Sequence, residues 1–206
     1  GLPVEALEYA DVVAPNRLTP TRYAALVYAG GEGYRASVNA PDDVDRALEA
    51  YLQAGGVLLA LPSAPLPFYY ADGKAANRAG KFGLPIAVSA ERPEAGKTGF
   101  ETPPATGMQF RWNRAELPRM GDAPLPFPAG GDMRWRPALR TLARPDADYT
   151  PLATLYDAQG RNWGDGAVWI RYPNGGAVGY VWFRLLETPY APILLASLFE
   201  RAAQKR

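Results

Sequence analysis

The 206-residue chain contains no cysteine and no histidine. The first absence excludes disulfides, thiol nucleophiles and thiolate metal sites. The second removes the usual side chain for activating a nucleophile near neutral pH. Lysine is scarce as well, confined to Lys74, Lys81, Lys97 and Lys205, so nearly all positive charge is arginine. Formal net charge is only +1, without the basic excess of a nucleic-acid binder, and no nucleic-acid partner is expected. The locally basic stretch with Arg111, Arg114, Arg119, Arg134, Arg136, Arg140 and Arg144 is diluted by Glu116, Asp122 and Asp132. No run approaches the roughly 20 apolar residues of a membrane span. Neither a signal peptide nor an initiator methionine is present, and Gly1 leads straight into apparent fold. That start suggests a processed chain or an excised domain. Zero cysteine does not fix the compartment; a soluble chain is expected, with a periplasmic or extracellular setting among the choices.

What is present suits a folded domain. Hydrophobic residues make up 48% and charged residues 21%, which argues against global disorder and for one core spanning 1–206. The clearest pattern is a strand–helix–strand unit at 23–61. Tyr23–Ala29 is a short apolar run that reads as a strand buried on both faces. A loop with Gly30, Gly31 and Gly33 follows. The spacing then predicts a helix over 42–54, with Val44, Ala47, Leu48, Tyr51 and Leu52 on one face. Asp42, Asp43 and Asp45 suit its first turn and Gly55 its stop. Val57–Leu61 is a second buried strand, and such a unit makes a right-handed parallel crossover.

Elsewhere the elements are thinner. Residues 4–13 read as one extended segment. Residues 62–137 carry twelve of the prolines and are expected to be mostly loop, with short strands near Ile86–Val88 and Met108–Trp112. This stretch is either an insertion packed on the sheet or a binding rim. Strands follow at Leu152–Tyr156, Ala167–Tyr172 and Ala177–Phe183. The last two are joined by Pro173-Asn174-Gly175-Gly176, a good hairpin turn. A helix over 190–204 closes the chain.

Three of these pieces carry a family resemblance: the strand with its Gly30-Gly31 loop, the phrase Tyr51-Leu52-Gln53-Ala54-Gly55-Gly56-Val57-Leu58-Leu59, and the terminal hairpin with its helix. Together they resemble the class I glutamine amidotransferase-like domains of large bacterial proteins, among them the trimerisation-type middle domain of some β-galactosidases. The resemblance covers about half the chain. It implies an α/β, flavodoxin-like sheet, mostly parallel, with a C-terminal antiparallel hairpin and the 62–137 stretch as a proline-rich insertion. Members of the family usually open with a further strand and helix, whose absence suggests completion by other domains or chains of the same protein. Catalytic members place a cysteine at the elbow after the second strand. Here that position reads Leu61-Pro62-Ser63-Ala64-Pro65, and cysteine–histidine glutaminase chemistry is excluded.

Candidate site residues cluster, on this reading, at the carboxyl edge of the strands, where open α/β sheets bind ligands. They are Gly30, Gly31, Glu32 and Tyr34 from the first loop and Ser63, Phe68, Tyr69, Tyr70 and Asp72 from the second. Gly30, Gly31 and Gly33 match the family's oxyanion loop, or simply make a tight turn. Ser63 would need Lys74 or Lys81 as a buried base, and otherwise is a turn hydroxyl. Glu32, Asp72, Glu91, Glu101, Asp132 and Asp165 are loop acids from which a glycosidase pair could be drawn. The aromatic rings, with Trp112, Trp135 and Trp163, suit sugar stacking or else anchor loops to the core; Trp169 and Trp182 belong to the core. Asp157 to Asp165 is spaced loosely like a calcium loop but lacks the regular ligand spacing, and a polar hairpin loop is the simpler reading. No catalytic residue, cofactor or metal site is assigned. The leading expectation is a catalytically inactive domain with a structural, assembly or ligand-binding role in a larger, carbohydrate-active bacterial protein. The alternatives are a carboxylate-dependent hydrolase and a sugar-binding module with a carbohydrate ligand.

Overall fold

The computed structural model describes residues 3–29, 44–61, 69–71, 74–76, 85–86, 107–128 and 137–204. Seven strands form one mixed sheet: β1 (Leu26–Tyr28), β2 (Val57–Ala60), β5 (Gln109–Trp112), β6 (Leu125–Pro126), β7 (Asp148–Tyr156), β8 (Asn162–Arg171) and β9 (Ala177–Val181). Their spatial order is β1-β2-β9-β8-β7-β5-β6. Two short strands, β3 (Tyr69–Ala71) and β4 (Lys74–Ala76), pair with each other in a separate antiparallel ribbon.

The strand–helix–strand unit forms as its pattern predicts. The helix Val44–Gln53 connects β1 to β2, and the two strands run parallel with Leu26 opposite Leu58 and Tyr28 opposite Ala60. β2 is buried along its whole length, as an unbroken Val-Leu-Leu-Ala run requires. β1 departs from expectation. It is only three residues long and Val27 is 48% exposed, because among the described strands β1 has a neighbour on one side only.

The expected mostly parallel sheet is corrected. β1–β2 and β2–β9 are parallel, whereas β9–β8, β8–β7, β7–β5 and β5–β6 are antiparallel. The reason is connectivity. Parallel neighbours need a crossover of a dozen residues or more, usually helical. β7, β8 and β9 are instead joined in succession by short turns at Asp157–Arg161 and Tyr172–Gly176, which permit only antiparallel pairing. The architecture is α/β in a mixed sense.

Three local expectations also change. The 4–13 segment is not extended throughout: Tyr9–Val13 is a short helix, its start marked by the Glu8 N–H donating to the Asp11 carboxylate at 3.1 Å, the acid returning to the first turn's free amides. The strand predicted from Leu152 begins at Asp148 and runs through Pro151. Proline cannot donate to the ladder, and the register shifts between Pro151 and Ala153. Ile86 makes only a single bridge, to Ala138, and Val88 lies outside the described residues.

The described part of the proline-rich stretch is integrated with the sheet. β5 pairs with β7, and Phe110, Leu117, Met120 and Phe127 are all buried. Trp182, fully buried, is the hub: its ring lies 6.0 Å from Phe110, 5.5 Å from Phe127 and 6.2 Å from Phe183. Trp169 is in the core as well. The helix Ala191–Gln204 closes the chain and packs across β9 at Gly179, where an added Cβ would lie 3.1 Å from Leu198 and 2.9 Å from Leu59. Among the described residues no helix is long and apolar enough to cross a membrane.

Candidate functional site

The two loops expected to form a site leave the sheet together. Leu61 donates its N–H to Tyr28 O at 2.7 Å, continuing the β1–β2 pairing to the carboxyl ends of both strands. Gly30, Gly31, Glu32, Tyr34, Ser63, Phe68 and Asp72 all lie outside the described residues. Tyr69 and Tyr70, expected in the second loop, instead lie in β3, opposite Ala76 and Ala75. Glu91, Glu101, Asp132 and Trp135 are likewise outside the described residues.

Of the other candidates, Trp112 and Trp163 serve packing. Trp112 is half-buried with its ring 5.3 Å from that of Tyr190. Trp163 is buried in β8 rather than in a loop, and its indole N–H donates to Asp157 at 2.9 Å. The calcium-like stretch is a hydrogen-bonded turn. Asp157 Oδ1 accepts from the N–H groups of Gln159 and Arg161, at 3.0 and 2.8 Å; Oδ2 accepts from Trp163 and from Arg161 Nε, at 2.9 Å each. Four donors leave the carboxylate no free face for a cation, and they hold its pKa down to about 2, the Trp163 bond contributing most. Among the described residues no group of three or more acidic side chains is placed to hold a metal.

A buried cluster whose carboxyl is shifted the other way centres on Asp165. Expected in a loop, this residue sits inside β8 and is 5% exposed. Its Oδ2 accepts from the Tyr149 hydroxyl at 2.6 Å and its Oδ1 from the Thr154 hydroxyl at 2.5 Å. Arg140, in the 3-10 turn Arg140–Leu142, donates to Tyr149 O at 2.9 Å. Burial raises the pKa of Asp165, opposed by the two hydroxyls and the nearby Arg140 charge. Burial also raises the Tyr149 phenol, with the Asp165 charge adding to it.

The chain reaches this geometry through two glycines. Gly164 has φ +106°, and a Cβ there would lie 2.9 Å from both Ala138 O and Pro137 Cβ. At Gly166 a Cβ would lie 2.6 Å from Phe110 Cε1. Small residues on either side of Asp165 thus let two other segments press against β8. The sequence carried one sign of this, an acid flanked by glycines inside an apolar run from Trp163 to Ile170; Tyr149, Thr154 and Arg140 are individually unremarkable and were missed. The cluster can hold a proton above the usual carboxylate range. Both of its hydroxyls, on Tyr149 and Thr154, donate to the carboxyl.

No protein-family model and no curated protein matches the chain. Among solved structures it is similar to the cytoplasmic protein STM3548 from Salmonella typhimurium, at 12% identity and a TM-score of 0.44, over 94% of this chain and 78% of that one. A likeness at that level carries no argument about fold or function.

Proposed function

We infer that this chain is a non-catalytic α/β domain with a structural or assembly role in a larger bacterial protein, related to the amidotransferase-like domains through its strand–helix–strand unit. The observation that carries the reading is the use made of the buried carboxylates among the described residues. Asp157 spends both oxygens on a turn and Asp165 spends both on neighbouring hydroxyls. A catalytic acid or base needs an oxygen within reach of a substrate proton; these two serve the fold. The lack of cysteine and histidine points the same way, because the family's glutaminase reaction uses both.

The test is activity. The purified protein is incubated with glutamine and with a panel of chromogenic glycosides, alongside Ser63→Ala, Glu32→Gln and Asp72→Asn. A structural domain gives no turnover above buffer for any of the four proteins. Hydrolysis by the wild type that disappears in Glu32→Gln or Asp72→Asn would replace this reading with the carboxylate hydrolase. Glycan binding lost in Tyr69→Ala or Tyr70→Ala, with folding intact, would replace it with the sugar-binding module.

A further inference from the structure

We propose that Asn174-Gly175 is a built-in deamidation site. The seat of the hairpin turn on the helix end holds the reaction back while the chain is folded, and the reaction, once it occurs, unseats the turn irreversibly.

Among the asparagines Asn174 alone is followed by glycine, the neighbour that shields its own amide nitrogen least and turns most freely. In the reaction that nitrogen gives up its proton and bonds to Asn174 Cγ. The Cγ–Nδ2 bond breaks and ammonia leaves, carrying a proton in exchange. Water then opens the cyclic imide: attack at Cγ leaves aspartate, and attack at the main-chain carbonyl leaves isoaspartate, with an extra carbon in the main chain. Asn174 is exposed, so the water is at hand, and no other reactant is needed.

The folded turn opposes the attack. Gly175 N–H donates to Tyr172 O at 2.9 Å, which favours keeping the proton on the nitrogen. The carboxamide is held at both ends: Nδ2 donates to Leu52 O at 3.2 Å and to Gln53 O at 3.1 Å, and Oδ1 accepts from Gly176 N–H at 3.0 Å. Cγ cannot swing onto the Gly175 nitrogen without breaking these bonds. The turn also sits hard against the helix, since a Cβ at Gly176 would lie 2.3 Å from Leu52 O. Local opening must come first, and the rate follows the open population.

The product does not fit the seat it left. A carboxylate has no N–H to offer Leu52 O and Gln53 O. It also sets a negative charge against the carbonyl end of the helix Val44–Gln53, where the helix dipole disfavours it. Isoaspartate further lengthens a turn that Tyr172 closes twice, its N–H donating to Gly176 O and its O accepting from Gly175, each at 2.9 Å.

The purified chain is incubated in mildly alkaline buffer, folded and in urea, and conversion of Asn174 is followed by peptide mass mapping with isoaspartate detection. A synthetic peptide of residues 170–180 in the same two buffers corrects for the urea. Conversion is expected to be at least about tenfold slower in the folded chain; equal rates overturn the proposal. Gly176→Ala keeps the Asn-Gly pair but pushes the turn off Leu52 O, and should quicken conversion in the folded chain by about threefold or more. An unchanged rate there overturns the role of the seat. Should Gly176→Ala fail to fold, the wild-type comparison decides the protection by itself. Asn174→Asp, which supplies the aspartate product directly, is expected to unfold at a lower urea concentration than wild type. Its Gly55 amide, which shares Leu52 O with Asn174, should exchange faster. A midpoint and an exchange rate equal to wild type would overturn the unseating.

Discussion

The ring of Tyr51 occupies the space that a side chain at Gly56 would need: a Cβ there would lie 2.2 Å from Tyr51 Cε1. Five residues apart, the two are joined by the end of the helix. Gly56 N–H donates to Tyr51 O at 2.9 Å and Gly55 N–H to Leu52 O at 3.0 Å, with Gly55 at φ +94°. This is a Schellman ending, and it folds the ring back over the chain that enters β2. Gly56→Ala is expected to destabilise by about 2–3 kcal/mol, because the buried ring has nowhere to move. Urea unfolding measures it. A cost below about 0.5 kcal/mol would show that the ring yields.

The Tyr51 hydroxyl also ties the unit together, donating to Tyr23 O at 3.0 Å and accepting from Val57 N–H at 3.2 Å. Tyr51→Phe keeps the ring and strands both partners. It should cost about 1–2 kcal/mol, and hydrogen exchange at Val57 should quicken more than at Leu59. Equal change at the two amides would assign the loss to global stability instead.

Asn174 links the terminal hairpin to the same helix end. Its Nδ2 donates to Leu52 O at 3.2 Å and Gln53 O at 3.1 Å, while its Oδ1 accepts from Gly176 N–H at 3.0 Å. Asn174→Ala is expected to cost about 1–2 kcal/mol through the freed helix carbonyls and turn amide. A double-mutant cycle with Gly55→Ala should show coupling, since both changes act on one helix terminus. Strict additivity would mean that the turn and the helix end behave independently.

Asp157 and Asp165 should impose opposite pH dependences. Asp157 has a folded pKa depressed to about 2. Its contribution is present above the ordinary carboxylate range and lost as pH falls through about 2. Asp165 has a raised folded pKa; its contribution is present below the ordinary carboxylate range and lost as pH rises through the folded value. Urea midpoints against pH should therefore flatten on the acid side in Asp157→Asn, and lose a decline on the other side of the carboxylate range in Asp165→Asn. The same slope in wild type and variant would deny the shift assigned to that residue.

Arg184 is 2% exposed, pairs with Glu187 at 2.7 Å and donates to Pro128 O at 2.6 Å, with Phe127 and Phe183 within 6 Å of its guanidinium. Glu187 is half exposed, so water can take over its charge. Lost packing then dominates, and Arg184→Ala should cost about 3 kcal/mol while Arg184→Met costs about half as much. Thermal unfolding separates the two; equal losses would point to the charge instead.

Much of the fold was legible because local pattern and final environment agreed. The apolar run Val57–Leu61 became the fully buried β2, and the 3.6-residue periodicity over 44–53 became the crossover helix. The Asn174-Gly175 turn formed as its chemistry predicts, Gly175 taking φ +85°. Legibility failed where partners decide. Tyr23–Ala29 is as apolar as a central strand, yet β1 has one described neighbour, and nothing in its seven residues encodes that. The strand expected from Leu152 starts four residues earlier at Asp148, and a register shift after Pro151 absorbs the donor that proline lacks. Asp165 looked like a loop acid because the hydroxyls that make its burial tolerable come from residues 11 and 16 positions away.

The sequence by itself determined that β2, the helix before it, the terminal hairpin and the closing helix form, where the first of those helices stops, and that cysteine–histidine chemistry is impossible here. Those outcomes rest on side-chain periodicity, on glycine's access to positive φ and on residue types that are absent, all of which are local. The tertiary structure alone decided that the sheet is largely antiparallel, that Asp157 closes a turn rather than offering a face to a cation, and that Asp165 sits between Tyr149 and Thr154. The first and third depend on the free energy of groups distant in the chain meeting out of water, which no local pattern encodes. The second rests on donors two to six residues from Asp157, which converge on one carboxylate only once the turn into β8 has formed.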